Sequence, residues 1–192
     1  SHTYPDKFPS AAAEAEDYQR ASEILESIIG KKLKAYRSPA WEFSRNTLGI
    51  LEKMGIEYSS NMMGTDCIQP LEILGRKSHI IEVPIHWILD DAAFWLYSVR
   101  IPGKCMQPIA AVEDCWIKEF DGLYAEFLEE ECEGISSDIV FVLTCHPQII
   151  GRPSRMTVLE GLIQHIISLP NVGFVTMGDA VKDYKARHSL NE

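Results

Sequence analysis

The 192-residue sequence has no apolar run approaching the roughly 20 residues that a membrane-spanning helix needs. It also has no Lys/Arg block, and 28 acidic against 18 basic residues leave a formal net charge of −10. A surface of that sign repels polyphosphate, so neither a nucleic acid nor a membrane is expected as a partner. C-x-x-C pairs, HExxH and glycine-rich phosphate loops are missing, which removes the commonest short signatures of redox, zinc-protease and nucleotide chemistry. The five cysteines (67, 105, 115, 132 and 145) are odd in number and read as reduced thiols of a cytoplasmic protein, not a disulfide framework. Repeats, linkers and low-complexity tracts are also missing, so residues 1–192 are expected to form a single domain. No signal peptide is visible; Ser1 is not an initiator Met, so the start does not report on export.

What is present is enough apolar sequence, 46%, to bury a core. Ala11 to Ile29 has Ala15, Tyr18, Ala21, Ile24, Leu25, Ile28 and Ile29 at helical spacing, with Gly30 placed for a left-handed cap. A short strand, Leu33 to Tyr36, runs into Arg37-Ser38-Pro39. Ser44 is expected to cap a second helix carrying Leu48, Leu51 and Met54, closed by Gly55. Ile56 to Ser59 is a brief strand, and residues 60–78 carry turn chemistry. His79 to Ile85 reads as a strand that Pro84 confines to an end or an edge. The stretch from Trp87 to Cys115 has no sustained period, and irregular segments of that length tend to be functional. Ile117 to Cys132 is helical. Ile139 to Cys145 and Val172 to Val175 read as buried strands flanking a helix opened by Pro153, and Thr176-x-x-Asp179 resembles a capping box for the last helix.

Strand and helix therefore alternate from residue 33 onward, which argues for an α/β fold with parallel strands. Several strands end in residues capable of chemistry, as the C-terminal strand ends of (β/α) barrels do. His146 can exchange protons near neutral pH or ligate a metal; the bland alternative is a strand-end His bonded to a loop carbonyl. Arg37 can hold a carboxylate ionised, or simply pair with any surface acid. Asp90 and Asp91 stand beside His86, Trp87, Phe94 and Trp95. One Asp could partner Arg37 and the aromatics could stack on a sugar, or the two acids could mark a helix N-terminus. His79, His165 and His188 have no site residues nearby in sequence. Cys145 and His146 cannot form a nucleophile pair, because adjacent strand residues face opposite ways.

Arg37-Ser38-Pro39-Ala40-Trp41, Ile85-His86-Trp87 with Asp90-Asp91, and Thr144-Cys145-His146-Pro147-Gln148 with Gly151-Arg152-Pro153 together resemble the polysaccharide deacetylase family. This is the NodB-homology group, carbohydrate esterase family 4, and the wording is closest to its peptidoglycan deacetylase-like and allantoinase-like branch. The resemblance implies an incomplete (β/α) barrel of the NodB-homology type, lacking its first strands. It also implies a hydrolase that removes acetyl groups from sugars with a divalent metal, usually zinc. By resemblance Arg37 would orient the catalytic base, Asp90 or Asp91 would hold Arg37, and His146 would protonate the leaving amine. Pro39, Trp41, His86 and Trp87 would line the substrate groove, with Leu143 and Thr144 shaping the acetyl pocket. Thr144 stands where the family commonly has Leu. Ser1-His2-Thr3-Tyr4-Pro5 looks like the end of the metal-binding H-x-x-x-H segment, which carries the second metal histidine onto His2.

The base Asp, the metal Asp and the first metal histidine would all precede Ser1, and one His cannot make a three-ligand zinc site. The 192 residues alone are therefore expected to be inactive unless another chain supplies the rest. The substrate is an acetylated glycan on the first reading and a small cyclic amide on the allantoinase-like one. A non-catalytic glycan- or partner-binding remnant is the third. Segment 86–97 could serve a groove or a homo-oligomer interface.

Overall fold

The computed structural model describes residues 2–98, 100 and 105–190. Ser1 and part of the stretch from Trp87 to Cys115, both used above, lie outside them. In chain order the elements are α1 (Ala11–Ile29), β1 (Ala35–Tyr36), α2 (Thr47–Met54), β2 (Tyr58–Ser59), β3 (Gln69–Ile73) and β4 (Arg76–Glu82). These are followed by α3 (Asp91–Trp95), α4 (Ile109–Cys132), α5 (Pro147–Ile150), α6 (Pro153–Ile167) and α7 (Met177–Arg187). Short 3-10 turns cover Pro5–Lys7, Pro39–Trp41 and Trp87–Leu89. The chain divides into two compact units, Ser1–Pro84 with Thr176–Glu192, and Ile85–Val175.

The first unit holds an open four-stranded sheet of order β1-β2-β4-β3. β1, β2 and β4 are parallel, while β3 runs antiparallel to β4, so the expectation of parallel strands is corrected to a mixed sheet. The hairpin was hidden in the stretch read as turns. Leu71 and Ile73 alternate with polar residues, and Leu74-Gly75, both at positive φ, make a two-residue turn that matches the strand twist. The sheet is not closed, as in an incomplete barrel. A core of Leu48, Ile50, Leu51, Ile56, Leu71 and Ile80 packs with Tyr18 of α1.

α1 starts and stops where the sequence predicts. Ser10 Oγ accepts from the Ala13 N–H at 3.2 Å, and Gly30 takes φ 71° at the C-cap. Its buried row is nevertheless Glu14, Tyr18 and Ser22, while Ile24, Leu25, Ile28 and Ile29 are exposed. The reason is polar. Glu14 accepts from the hydroxyls of Tyr18 (3.1 Å), Ser44 (2.7 Å) and Thr47 (2.6 Å), which fixes the helix face. Ser44 therefore does not cap α2. It precedes the N-cap residue Asn46, and its hydroxyl is spent on Glu14 and the Asn46 N–H. At the other end of the chain, Thr176 Oγ1 accepts from the Asp179 N–H at 3.1 Å and caps α7 as expected.

The second unit is helical around Leu89, Trp95, Val112, Trp116, Phe120, Val158, Leu162 and Ile166, with α4 packed on α6. α4 begins at Ile109, eight residues before the predicted start, and α3 occupies part of the stretch expected to be irregular. Residues 139–145 form no strand. They are half-buried and contribute an isolated parallel bridge between Thr144 and Asp90. A ladder needs successive pairings, and the partner chain turns into α3 after one. Val172–Val175 is likewise no strand, and Phe174 and Val175 are exposed. An apolar run marks burial potential but does not supply a partner edge.

Trp116 is fully buried and its Nε1–H donates to the Ile88 carbonyl at 2.9 Å. Trp116→Ala is expected to lower the unfolding free energy by about 3–5 kcal/mol, from cavity formation and the orphaned carbonyl. Denaturant titration followed by far-ultraviolet circular dichroism checks it, and an unchanged midpoint would remove Trp116 from the core argument.

Candidate active site

The second unit builds its site from two loops. Asp90 is the N-cap of α3, its Oδ1 accepting from the Ala92 N–H at 2.6 Å. Asp91 opens the helix and is 0% exposed. The Asp91 N–H donates to the Thr144 carbonyl at 3.1 Å, and the Thr144 N–H donates to the Leu89 carbonyl at 2.7 Å. That pairing carries His146 onto Asp91. One Asp91 oxygen accepts from the His146 backbone N–H at 2.9 Å, and the other lies 2.6 Å from the ring Nδ1. Asp90 Oδ1 stands 3.9 Å from the same nitrogen. Both Asp91 oxygens are thus engaged by one residue, holding the backbone and the ring together. A carboxylate on Nδ1 sets the tautomer and leaves Nε2 as the nitrogen for chemistry, on a side chain still 37% exposed.

Burial raises the Asp90 carboxyl above the usual aspartate range, and Asp91 adds to this. The Ala92 N–H and the His146 ring oppose it. Burial, with Asp91 and Asp90 nearby, pushes the Cys145 thiol up to about 12. Cys145 packs against the apolar core of its unit, so it is no nucleophile and no partner of His146.

Asp90, Asp91 and His146 also have the donor chemistry of a divalent-metal site, with their ligand atoms all within 4.8 Å of one another. Their spacing does not fit an ion. Two ligands of a tetrahedral zinc, bonded at about 2.0–2.2 Å, stand roughly 3.3 Å apart. The 2.6 Å between Asp91 and the His146 ring is the length of a hydrogen bond.

In the first unit Arg37 follows β1 directly. Its Nε–H donates to the Ser60 carbonyl at 3.2 Å and a terminal nitrogen to Ser60 Oγ at 2.7 Å. Pro39 is half-buried and Trp41 is buried. Ala40 and Trp41 take φ 49° and 60°, two consecutive non-glycine residues in the left-handed region. His2 is exposed and belongs to no cluster of three metal-ligating residues among those described. In the second unit Leu143 and Thr144 are half-buried, and the exposed His86 accepts from the Ile88 N–H at Nδ1. Trp87 is 43% exposed. The aromatics beside Asp90 and Asp91 do not come together as a surface on which a sugar could stack. Trp95 is buried in the core and Phe94 meets Trp116 edge to face. Of the other histidines, His165 pairs with Asp121 at 2.6 Å and His188 stacks against Tyr184.

No family model matches the chain. It is 27% identical over 216 aligned residues to a peptidoglycan deacetylase of Helicobacter pylori, covering 98% of this chain and 70% of that protein. The chain is thus similar in sequence to proteins named as peptidoglycan deacetylases. Its fold is similar to that of a polysaccharide deacetylase-type protein from Mycobacterium smegmatis, with a TM-score of 0.76 at 24% identity. PuuE allantoinase is also similar, with a TM-score of 0.72 at 21% identity. These two likenesses cover 97% and 96% of this chain but only 61% and 56% of the solved ones.

The deacetylase motifs draw attention to Arg37 and His146 but pass over the polar residues around Arg37. Ser38, Ser59, Ser60, Asn61 and Glu82 are all buried. The available signal was a glutamate inside the apolar run Ile80-Ile81-Glu82-Val83, where a charge has no reason to stand unless it is met by donors.

Two measurements check the electrostatics. At neutral pH the raised Cys145 thiol stays protonated, so iodoacetamide is expected to label the exposed Cys105 and Cys132 and spare Cys145. Peptide mass spectrometry reads this, and equal labelling of Cys145 contradicts it. Asp90 binds its proton more tightly folded than unfolded. Its contribution therefore favours the fold most at acid pH and is lost as pH rises through the raised folded value. Asp90→Asn keeps a cap oxygen without the charge. It is expected to melt at or above the wild type at neutral pH, with the difference closing on acidification; a lower melting temperature at neutral pH overturns the assignment.

Proposed function

We propose that the protein of which these residues form part hydrolyses N-acetyl groups from an amino-sugar polymer or oligomer, as the peptidoglycan deacetylase relative's name suggests. The observation that carries the reading is the imidazole of His146, held through Nδ1 by a fully buried aspartate. Amide hydrolysis adds water across the C–N bond, giving acetate and an amine. The amine leaves poorly until its nitrogen is protonated. His146 delivers that proton from Nε2, while Asp91 holds the ring through Nδ1. Arg37 orients the base that activates water. Leu143 and Thr144 shape the acetyl pocket, and Pro39, Trp41, His86 and Trp87 contact the glycan.

The chemistry a divalent ion supplies in such enzymes is acidification of the attacking water and stabilisation of the oxyanion. We assign His2 to that ion, zinc in the first instance. The Asp90–Asp91–His146 group is not assigned to it. A cytoplasmic location and a homo-oligomeric state belong to the same proposal.

Acetate release from N-acetylated glycan fragments tests the reading. His146→Ala is expected to lower kcat by about 10²–10⁴-fold, and Asp91→Asn to lower it while KM changes little. Wild-type turnover by His146→Ala would falsify the acid assignment. Hydrolysis of a small cyclic amide with no acetate release favours the allantoinase-like reading. Glycan binding without hydrolysis of either substrate favours a non-catalytic role.

A further inference from the structure

Glu82 ends β4 and is 1% exposed, in a position where an apolar residue would fill the same space. Its carboxylate accepts from three donors, all in the segment that leaves β2: the Ser59 hydroxyl, the Asn61 N–H and the Met62 N–H, the last at 2.7 Å. Burial raises its carboxyl, while these donors and the charge of Arg37 pull the other way. The segment so fixed spends its own polar groups on the other side. Asn61 Oδ1 accepts from the Ser38 N–H at 2.7 Å, and Asn61 Nδ2–H donates to the Tyr36 carbonyl at 3.2 Å. Between those two anchors sits Arg37, whose guanidinium is held by the Ser60 carbonyl and hydroxyl. The backbone is gripped before and after the arginine, and the arginine itself is gripped at its head. The strained φ values of Ala40 and Trp41 follow at once, and such strain persists where the surroundings over-determine the chain.

We propose that Glu82 is a positioning residue for Arg37, acting through the Ser59–Met62 segment at the end of β2. The carboxylate is buried and acts at a distance: it fixes the segment after β2, and that segment sets the guanidinium. The inference rests on the reading of Arg37 as the group that orients the base. An acid is needed because one residue must accept from two adjacent backbone N–H groups and a hydroxyl together, and only a carboxylate offers that many lone pairs without a donor of its own.

The test uses ¹⁵N-labelled full-length protein. The Arg37 Nε–H signal is assigned by its disappearance in Arg37→Lys, and its exchange with water is compared between wild type and Glu82→Gln. The wild-type signal is expected to exchange slowly and that of Glu82→Gln fast. Acetate release by Glu82→Gln is expected to fall about tenfold in kcat with KM little changed. In an Arg37→Lys background the same substitution should cost less than about twofold, because the group it positions is already gone. A general structural defect instead multiplies with Arg37→Lys, and that result, or equal Nε–H protection in the two proteins, overturns the proposal. If the wild type releases no acetate, the deacetylase reading fails and the exchange measurement alone decides the positioning. Should Glu82→Gln not fold, Ser59→Ala removes one donor from the same carboxylate. It is expected to speed Nε–H exchange to a lesser degree, and unchanged exchange there counts against Glu82.

Discussion

A carboxylate withdrawn from water has to be met by donors or take up a proton, and three of this chain's connections are built around that requirement. Glu14 draws Ser44 and Thr47 onto α1. Glu82 gathers the segment at the end of β2. Asp91 brings in the His146 backbone and ring together. In each case the donors come from a segment 20 or more residues away, so the acid acts as a tie between parts of the chain that no local preference would join. The apolar cores supply the bulk of the burial. The acids decide which turn faces which strand end.

That division of labour suits a hydrolytic site. Groups that move protons or orient a base must keep their geometry through the reaction, and a side chain whose oxygens are all engaged has little freedom left. Asp91 illustrates this most fully. One oxygen takes the His146 main chain and the other its ring, so imidazole orientation is inherited from the backbone bridge at Thr144. The adjacent Asp90 is spent on capping α3. Two neighbouring aspartates that look alike in sequence thus have different work, separated by which of them the helix start requires.

Helix boundaries were largely legible because they are local chemistry. Ser10, Gly30, Gly55, Pro153 and the Thr176–Asp179 pair each do what their residue type favours. The sheet was less so. The β3–β4 hairpin was obscured by polar residues on its exposed face, and residues 139–145 and 172–175 were apolar enough for strands but have no ladder to join. Pairing is a property of two segments, and periodicity describes only one. The same limit explains α1: its apolar stripe is real, yet the face that packs is set by Glu14 finding hydroxyls thirty residues on.

The amino-acid sequence by itself determined the α/β character, both ends of α1, the starts of α6 and α7, the motif residues Arg37, Asp90-Asp91 and His146, and the family likeness they carry. All of these rest on residue type and short-range spacing. Only the tertiary structure decided that Asp91 holds His146, that Cys145 packs half-buried against the core, that Trp95 belongs to the core, and that Glu82 stands behind the segment that grips Arg37. Each of those is an outcome of burial, which removes water as the competing partner and so makes a single pairing among many chemically permitted ones the stable choice.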